Sequence, residues 1–385
     1  MRRRYHPLVV VCVLLGGADD ATSFRGPQWG GGSARPGSCP RPKTVGAQVA
    51  GGPGAESTLE GLTEGSAAFR DFGAFLLETQ SSICAQAEEA DRGATFCKDR
   101  WERDSPSRGF GVTRVLEGGQ VLEKAAVSVS IIHGTLTAER AQAMSSRGRE
   151  AVDPAGGQEY SAAAMSLVFH SASPLVPTFR ADVRYFEVAG TGFYGGGADL
   201  TPYYLFDDDI REFHTFYRRI CDHYDPGAYA IFKKWTDEYF YIPMRHEHRG
   251  TGGIFFDDVE ASVGTGNSPE GEESPGPLSE SKVEAFVREV ALGFMPSFLP
   301  IAQRRGREPF SEEQRQWQLL RRGRYLEFNL LYDRGVRFGL NGGRVESIMV
   351  SAPPLVAWKY NRVPAPGSEE ARLLEVLREP RDWAT

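Results

Sequence analysis

Phe179-Arg-Ala-Asp-Val-Arg-Tyr-Phe-Glu-Val188 alternates apolar and charged residues from Phe179 to Tyr185. A period of two predicts a β-strand, and it puts Arg180, Asp182 and Arg184 together on one face. Met165 to His170 has the same period, placing Ser166, Val168 and His170 on one side. Val127, Val129 and Ile131 alternate with small or polar neighbours in a third strand. Tyr325 to Asp333 and Arg344 to Ser351 are read as two more strands, joined by a loop containing Asn341, Gly342 and Gly343. Gly195 to Gly197 reads as a tight turn. Phe69, Phe72 and Leu76 begin an amphipathic helix running from about Ala67 to Arg92. Ile210, Phe213, Tyr217, Ile220 and Tyr224 form the stripe of another, after the acidic first turn Asp207 to Asp209. Strands are grouped with helices instead of alternating strictly with them, so the expected class is α+β with an antiparallel-rich sheet.

The chain of 385 residues is 41% hydrophobic, enough for a substantial core, and carries a formal charge of −7. The acidic balance and the lack of a long basic run argue against nucleic acid as a partner. Five cysteines without a CxxC spacing exclude a zinc ribbon, a thioredoxin-type motif and a dense disulfide framework. No apolar run reaches the roughly 18–20 residues of a membrane span. Generic nucleotide-binding, metalloprotease and nucleophile-elbow motifs are absent. His246 and His248 form an HxH, but in the charged stretch Arg245 to Arg249 they read as solvated loop histidines; no metal is expected.

At the N-terminus, Arg2 to Arg4, the apolar run Leu8 to Leu15 and the small residues before Phe24 have the layout of a signal peptide over residues 1–23. Residues 24–66 form a transit-peptide-like segment; Arg25 to Ala55 contains four basic and no acidic residues. Signal plus transit points to a complex plastid, with mitochondrion or cytoplasm as alternatives. Residues 67–385 then form one domain. Within it, residues 261–281 contain 16 Gly, Ser, Pro or Glu out of 21 and read as a surface insertion.

Several blocks in this domain carry a resemblance. They include Pro174–Pro177 with Arg184-Tyr-Phe-Glu187, Gly195-Gly-Gly-Ala-Asp-Leu-Thr-Pro202, Arg249-Gly-Thr-Gly-Gly-Ile-Phe-Phe-Asp-Asp258, Tyr332-Asp-Arg-Gly335 and Pro380-Arg-Asp-Trp383. In order and spacing the chain resembles the oxygen-dependent coproporphyrinogen III oxidases over residues 67 to 385. The resemblance implies a single domain with a large flat antiparallel sheet covered by helices on both faces, in a homodimer. It implies conversion of the ring A and B propionates of coproporphyrinogen III to vinyls, giving protoporphyrinogen IX for haem and chlorophyll. O₂ is the co-substrate, and no organic cofactor or general metal requirement is implied.

The substrate carries four propionates and four pyrrole N–H groups, so a site needs cations and an acceptor. Arg184 and Arg344 suit the propionates, and Asp333 suits the pyrrole N–H groups. The resemblance places Asp333, Arg184 and Asp199 in catalysis, with Asp333 assisting pyrrole deprotonation. It places Ser166, His170, Asp182, Gly342, Gly343 and Arg344 with Arg184 at the substrate. His214 and Arg180 are supporting candidates. Asp199, two residues before Thr201-Pro202, also reads simply as a turn-ordering residue.

The family pattern Pro-Thr-x-His-x-Asn-x-Arg is here Pro177-Thr-Phe-Arg-Ala-Asp-Val-Arg184. Arg180 thus stands where the family has a proposed proton donor, and a guanidinium cannot release a proton at neutral pH. A second family histidine is Met244 here, with His246 two residues away as a substitute. Two function classes follow: an active oxidase with an altered proton path, or a weakened or inactive paralogue that binds a porphyrinogen or a true oxidase subunit.

Overall fold

The computed structural model describes residues 62–103, 109–145, 151–259, 280–340 and 343–384. The signal segment, residues 24–61 of the transit-like segment, residues 261–279, Asn341 and Gly342 lie outside these residues; residues 62–66, the end of the expected transit-like segment, are described and lead into the first helix. In chain order the described elements are α1 (Ala67–Asp91), β1 (Cys97–Glu102), β2 (Gly109–Glu117), β3 (Leu122–Thr135), α2 (Ala138–Ser145), β4 (Glu159–Ser171), β5 (Thr178–Val188) and β6 (Thr191–Thr201). They continue with α3 (Asp207–Tyr224), α4 (Ala228–Tyr239), the short pair β7 (Tyr241–Ile242) and β8 (Glu247–His248), and β9 (Gly252–Val259). The last part is helical: α5 (Glu280–Leu292), α6 (Phe294–Arg305), α7 (Glu312–Leu331), α8 (Arg334–Gly339), α9 (Val345–Met349) and α10 (Glu369–Arg378).

Seven strands form one antiparallel sheet in the order β1-β2-β3-β4-β5-β6-β9. The alternation in β5 sorts its faces as expected. Phe179, Ala181, Val183 and Tyr185 join Met165, Leu167 and Phe169 of β4 in the main core. Helix α1 packs on this side, capped by the Ser66 hydroxyl, which accepts from the Phe69 N–H at 3.0 Å. Apolar residues of α3, α5 and α6 complete the layer. Residues 282–305 are long and apolar enough to cross a membrane by composition, but Val283, Phe286, Val290, Phe294 and Phe298 are buried in this core. On the other face Tyr325 of α7 packs against Ala126 and Val168, so helices cover both sides.

Two expected strands are helices. Tyr325 to Leu331 belongs to α7, which starts at a capping box between Ser311 and Gln314 and buries Trp317, Arg321, Tyr325 and Phe328 on one stripe. Its aromatic, β-favouring composition is overridden by that burial at spacings of three and four. Residues 345–349 form α9, with Arg344 at its N-cap position. The expected turn at Gly195–Gly197 is the middle of β6. Its glycines are needed for clearance: a Cβ on Gly195 would lie 2.7 Å from the Arg184 guanidinium, and one on Gly196 would lie 2.6 Å from the Asp182 carbonyl oxygen.

Gly195→Ala should therefore displace a fully buried arginine and cost about 1–3 kcal/mol. Urea denaturation should show a lower midpoint at unchanged slope; a wild-type midpoint would contradict this account of the triplet.

Candidate active site

Register aligns three rows of side chains on the second face of the sheet. The middle row runs Asp99, Thr113, Ser128, Ser166, Asp182, Gly197 across β1 to β6. Flanking rows place Arg180 beside Asp199 and Arg184 beside Gly195. Ser166 is the one exposed residue in the interior of β4, a central strand. An exposed position in the middle of such a sheet marks an open cleft above it.

Beside that opening lies a lattice of charge. Arg184, with no exposed side-chain surface, is tied to Asp182 and, at 2.8 Å, to Asp257 of β9. Arg180 Nη1 lies 2.9 Å from Asp182 Oδ1 but out of line for a hydrogen bond, so the attraction is Coulombic. Burial pulls the Arg180 guanidinium toward neutrality, but Asp182, Asp333 and Asp199 outweigh it and hold the pKa above its ordinary value. Arg180 is the most open of these arginines: 15% of its side chain is accessible, against none for Arg184 and Arg249.

Arg249, in the segment between β8 and β9, reaches Asp199 Oδ1 at 2.5 Å. Its guanidinium carbon lies 3.8 Å from the Phe240 ring centroid, 4.7 Å from Tyr325 and 5.0 Å from Phe328. Asp199 Oδ2, Arg249 Nε and Nη1 and Arg184 Nε are buried without hydrogen-bond partners, and the hydroxyls of Tyr325 and Tyr239 are approached only by Asn329 and by the Arg334 backbone N–H. Unmatched donors and acceptors on both charge signs suit a polar ligand bearing carboxylates and N–H groups. Asp333, just beyond α7, is buried and uses Oδ1 to accept from the Val336 N–H, capping α8.

The other sequence candidates lie at varied positions. Asp199 is a buried strand residue facing Arg249, not a turn-former. Arg344 sits at the far side of the face, donating to Asp99 at 2.8 Å. Asp99 is four inter-strand steps from Asp182, roughly 19 Å at about 4.8 Å each. The Gly343 N–H is engaged by the Gly339 carbonyl. His246 occupies an exposed turn at φ 51°, and Met244 is also exposed; His248 bonds to the Leu377 carbonyl. No cluster of three metal-ligating side chains occurs among the described residues.

His170 is on the site face but fully buried. Arg322 Nε donates to the Tyr203 hydroxyl, which donates to Thr178; Thr178 donates to His170 Nδ1, and Nε2–H donates to the Ser351 carbonyl. This direction satisfies every member with a neutral imidazole, and it ties the segment after α9 to β4. Burial and then Arg322 hold His170 well below its ordinary pKa. His214 lies on α3, bonded to the Tyr229 hydroxyl at 2.9 Å. Burial and then Lys233 push it down to about 3.

Sequence reading did not single out Arg249, Tyr239, Tyr325 or Asp257. Arg249 carried a usable signal, a charged residue immediately before Gly250-Thr-Gly-Gly253.

The unfolded chain takes up protons on His170 and His214 that the folded chain refuses. Their contribution to stability is whole above about pH 6.5 and is lost as pH falls toward the folded values. Each can steepen the decline by about 1.4 kcal/mol per pH unit. Denaturation between pH 7 and pH 5 should show this fall, and His214→Asn should make it shallower; an unchanged pH dependence in that variant would contradict the assignment.

Residues 71–383 match the family model described as Coproporphyrinogen III oxidase. The chain is 44% identical over 315 residues to the human mitochondrial oxygen-dependent coproporphyrinogen-III oxidase, covering 80% of this chain and 65% of that protein. It is 40% identical over 322 residues to the chloroplastic enzyme of Glycine max (81% and 78% covered). Against the Drosophila melanogaster oxidase it is 42% identical over 316 residues, covering 80% and 76%.

Proposed function

Because the chain belongs to the coproporphyrinogen III oxidase family, we propose that it catalyses the O₂-dependent oxidative decarboxylation of coproporphyrinogen III to protoporphyrinogen IX. The observation that carries this reading is the open face beside Ser166, where buried arginines and aspartates retain unmatched donors and acceptors.

Propionates are held by Arg180 at the opening and by Arg344 across the sheet, with Arg184 and Arg249 supplying positive potential from beneath. Pyrrole N–H groups are met by Asp333 and by the unmatched oxygen of Asp199. Deprotonation at one pyrrole makes the ring electron-rich enough to react with O₂, and the resulting peroxide takes hydrogen from the propionate β-carbon before CO₂ leaves. The protein's part is orientation and charge placement, and the reaction runs without an organic cofactor. The alternative of an inactive paralogue has no observation in its favour.

The human relative is named as mitochondrial and the plant relatives as chloroplastic, which supports an organelle. The finer reading is import into a complex plastid by residues 1–23 and 24–66, with activity as a homodimer.

The test is aerobic incubation of the full chain with coproporphyrinogen III, followed by separation of the fluorescent porphyrins. Asp333→Asn keeps an oxygen to cap α8, so it should fold normally while losing at least about 10²-fold in kcat. Full activity in this variant would remove Asp333 from the chemistry.

A further inference from the structure

Tyr239 is the last residue of α4. Its ring stacks on Phe255 of β9 at 4.8 Å and 14°, and meets Phe240 and Phe328 edge-on. Three aromatic neighbours fix the direction of the phenolic hydroxyl. That hydroxyl is buried and its O–H meets no acceptor; only the Arg334 backbone N–H approaches its oxygen, and Asp333, Arg180 and Arg334 act on it electrostatically. An unmatched buried O–H costs about 1–3 kcal/mol, and here its charged neighbours belong to the site.

The proposed reaction, on which this inference rests, requires a proton. Each decarboxylation breaks a Cβ–H bond and the bond from Cα to the carboxylate, and forms the vinyl C=C and CO₂. Two electrons and the hydrogen pass to O₂, which departs as hydroperoxide and becomes H₂O₂ only on gaining one proton. Arg180 cannot supply it. We propose that Tyr239 does: its O–H donates to the departing peroxide oxygen, leaving a phenolate that Arg180 stabilises and solvent reprotonates through the cleft beside Ser166. Burial, with Asp333, holds the phenol above its ordinary pKa while Arg180 opposes the rise. The hydroxyl therefore stays protonated at neutral pH, and it releases its proton only in concert with departure of the peroxide, when Arg180 and Arg334 meet the charge of the phenolate.

Tyr239→Phe keeps the ring stack and removes only the donor. In the full chain, kcat for coproporphyrinogen III should fall roughly 10²-fold or more, with KM within about twofold and the melting temperature equal to or above the wild-type value. Adding Arg180→His with Asp182→Asn to Tyr239→Phe should recover about tenfold, because an imidazolium then supplies the proton. Wild-type kcat in Tyr239→Phe would overturn the inference alone, as would a slow variant that the His–Asn pair does not rescue. A wild-type chain inert toward coproporphyrinogen III would instead overturn the functional reading, and this inference with it.

Discussion

The second face of the sheet is organised by the burial of Arg184. A guanidinium with no exposed surface costs several kcal/mol unless its charge is met, and here Asp182 meets it from the same strand and Asp257 from β9. The side chain can lie flat only because Gly195 opposite has no Cβ. A well-packed apolar set of similar volume would commonly be as stable, so the lattice is poorly explained as a stabilising device. On the proposed reading it is preorganised charge lying beneath the cleft that Ser166 leaves open.

Arg180 and Asp182 make sense together within that lattice. They sit two residues apart on one strand face and attract each other at 2.9 Å, so Arg180 places a cation at the opening while Asp182 balances both it and Arg184 beneath. On the proposed reading that cation recognises a carboxylate, and because a guanidinium releases no proton at neutral pH, the Tyr239 hydroxyl is proposed to supply one.

Much of this was legible in the sequence where periodicity is enforced by burial. The alternation in β5 gave both the strand and the co-facial charges, because a strand with one buried face tolerates no slip in register. The stripe in α3 was equally readable. The aromatic run Tyr325 to Tyr332 misled because its residues favour strands, while their burial at spacings of three and four depends on contacts with Phe240, Ala126 and Val168. The glycine triplet misled for a similar reason: glycine marks turns locally, but here it answers a neighbouring arginine. Arg249 and Tyr239 became visible as site residues only when the fold brought β9 and the end of α4 beside β5 and α7. Family resemblance supplied residue roles that spacing alone could not.

The central claim is that the open sheet face is the tetrapyrrole floor. The most direct measurement is a crystal structure of the chain with coproporphyrin III, the oxidised and unreactive counterpart of the substrate. The macrocycle should lie over Ser128 and Ser166, with propionates at Arg180 and Arg344 and the pyrrole nitrogens toward Asp333. A porphyrin bound elsewhere would contradict the account, for example in the cavity of about 710 Å³ lined by Glu64, His133 and Glu187.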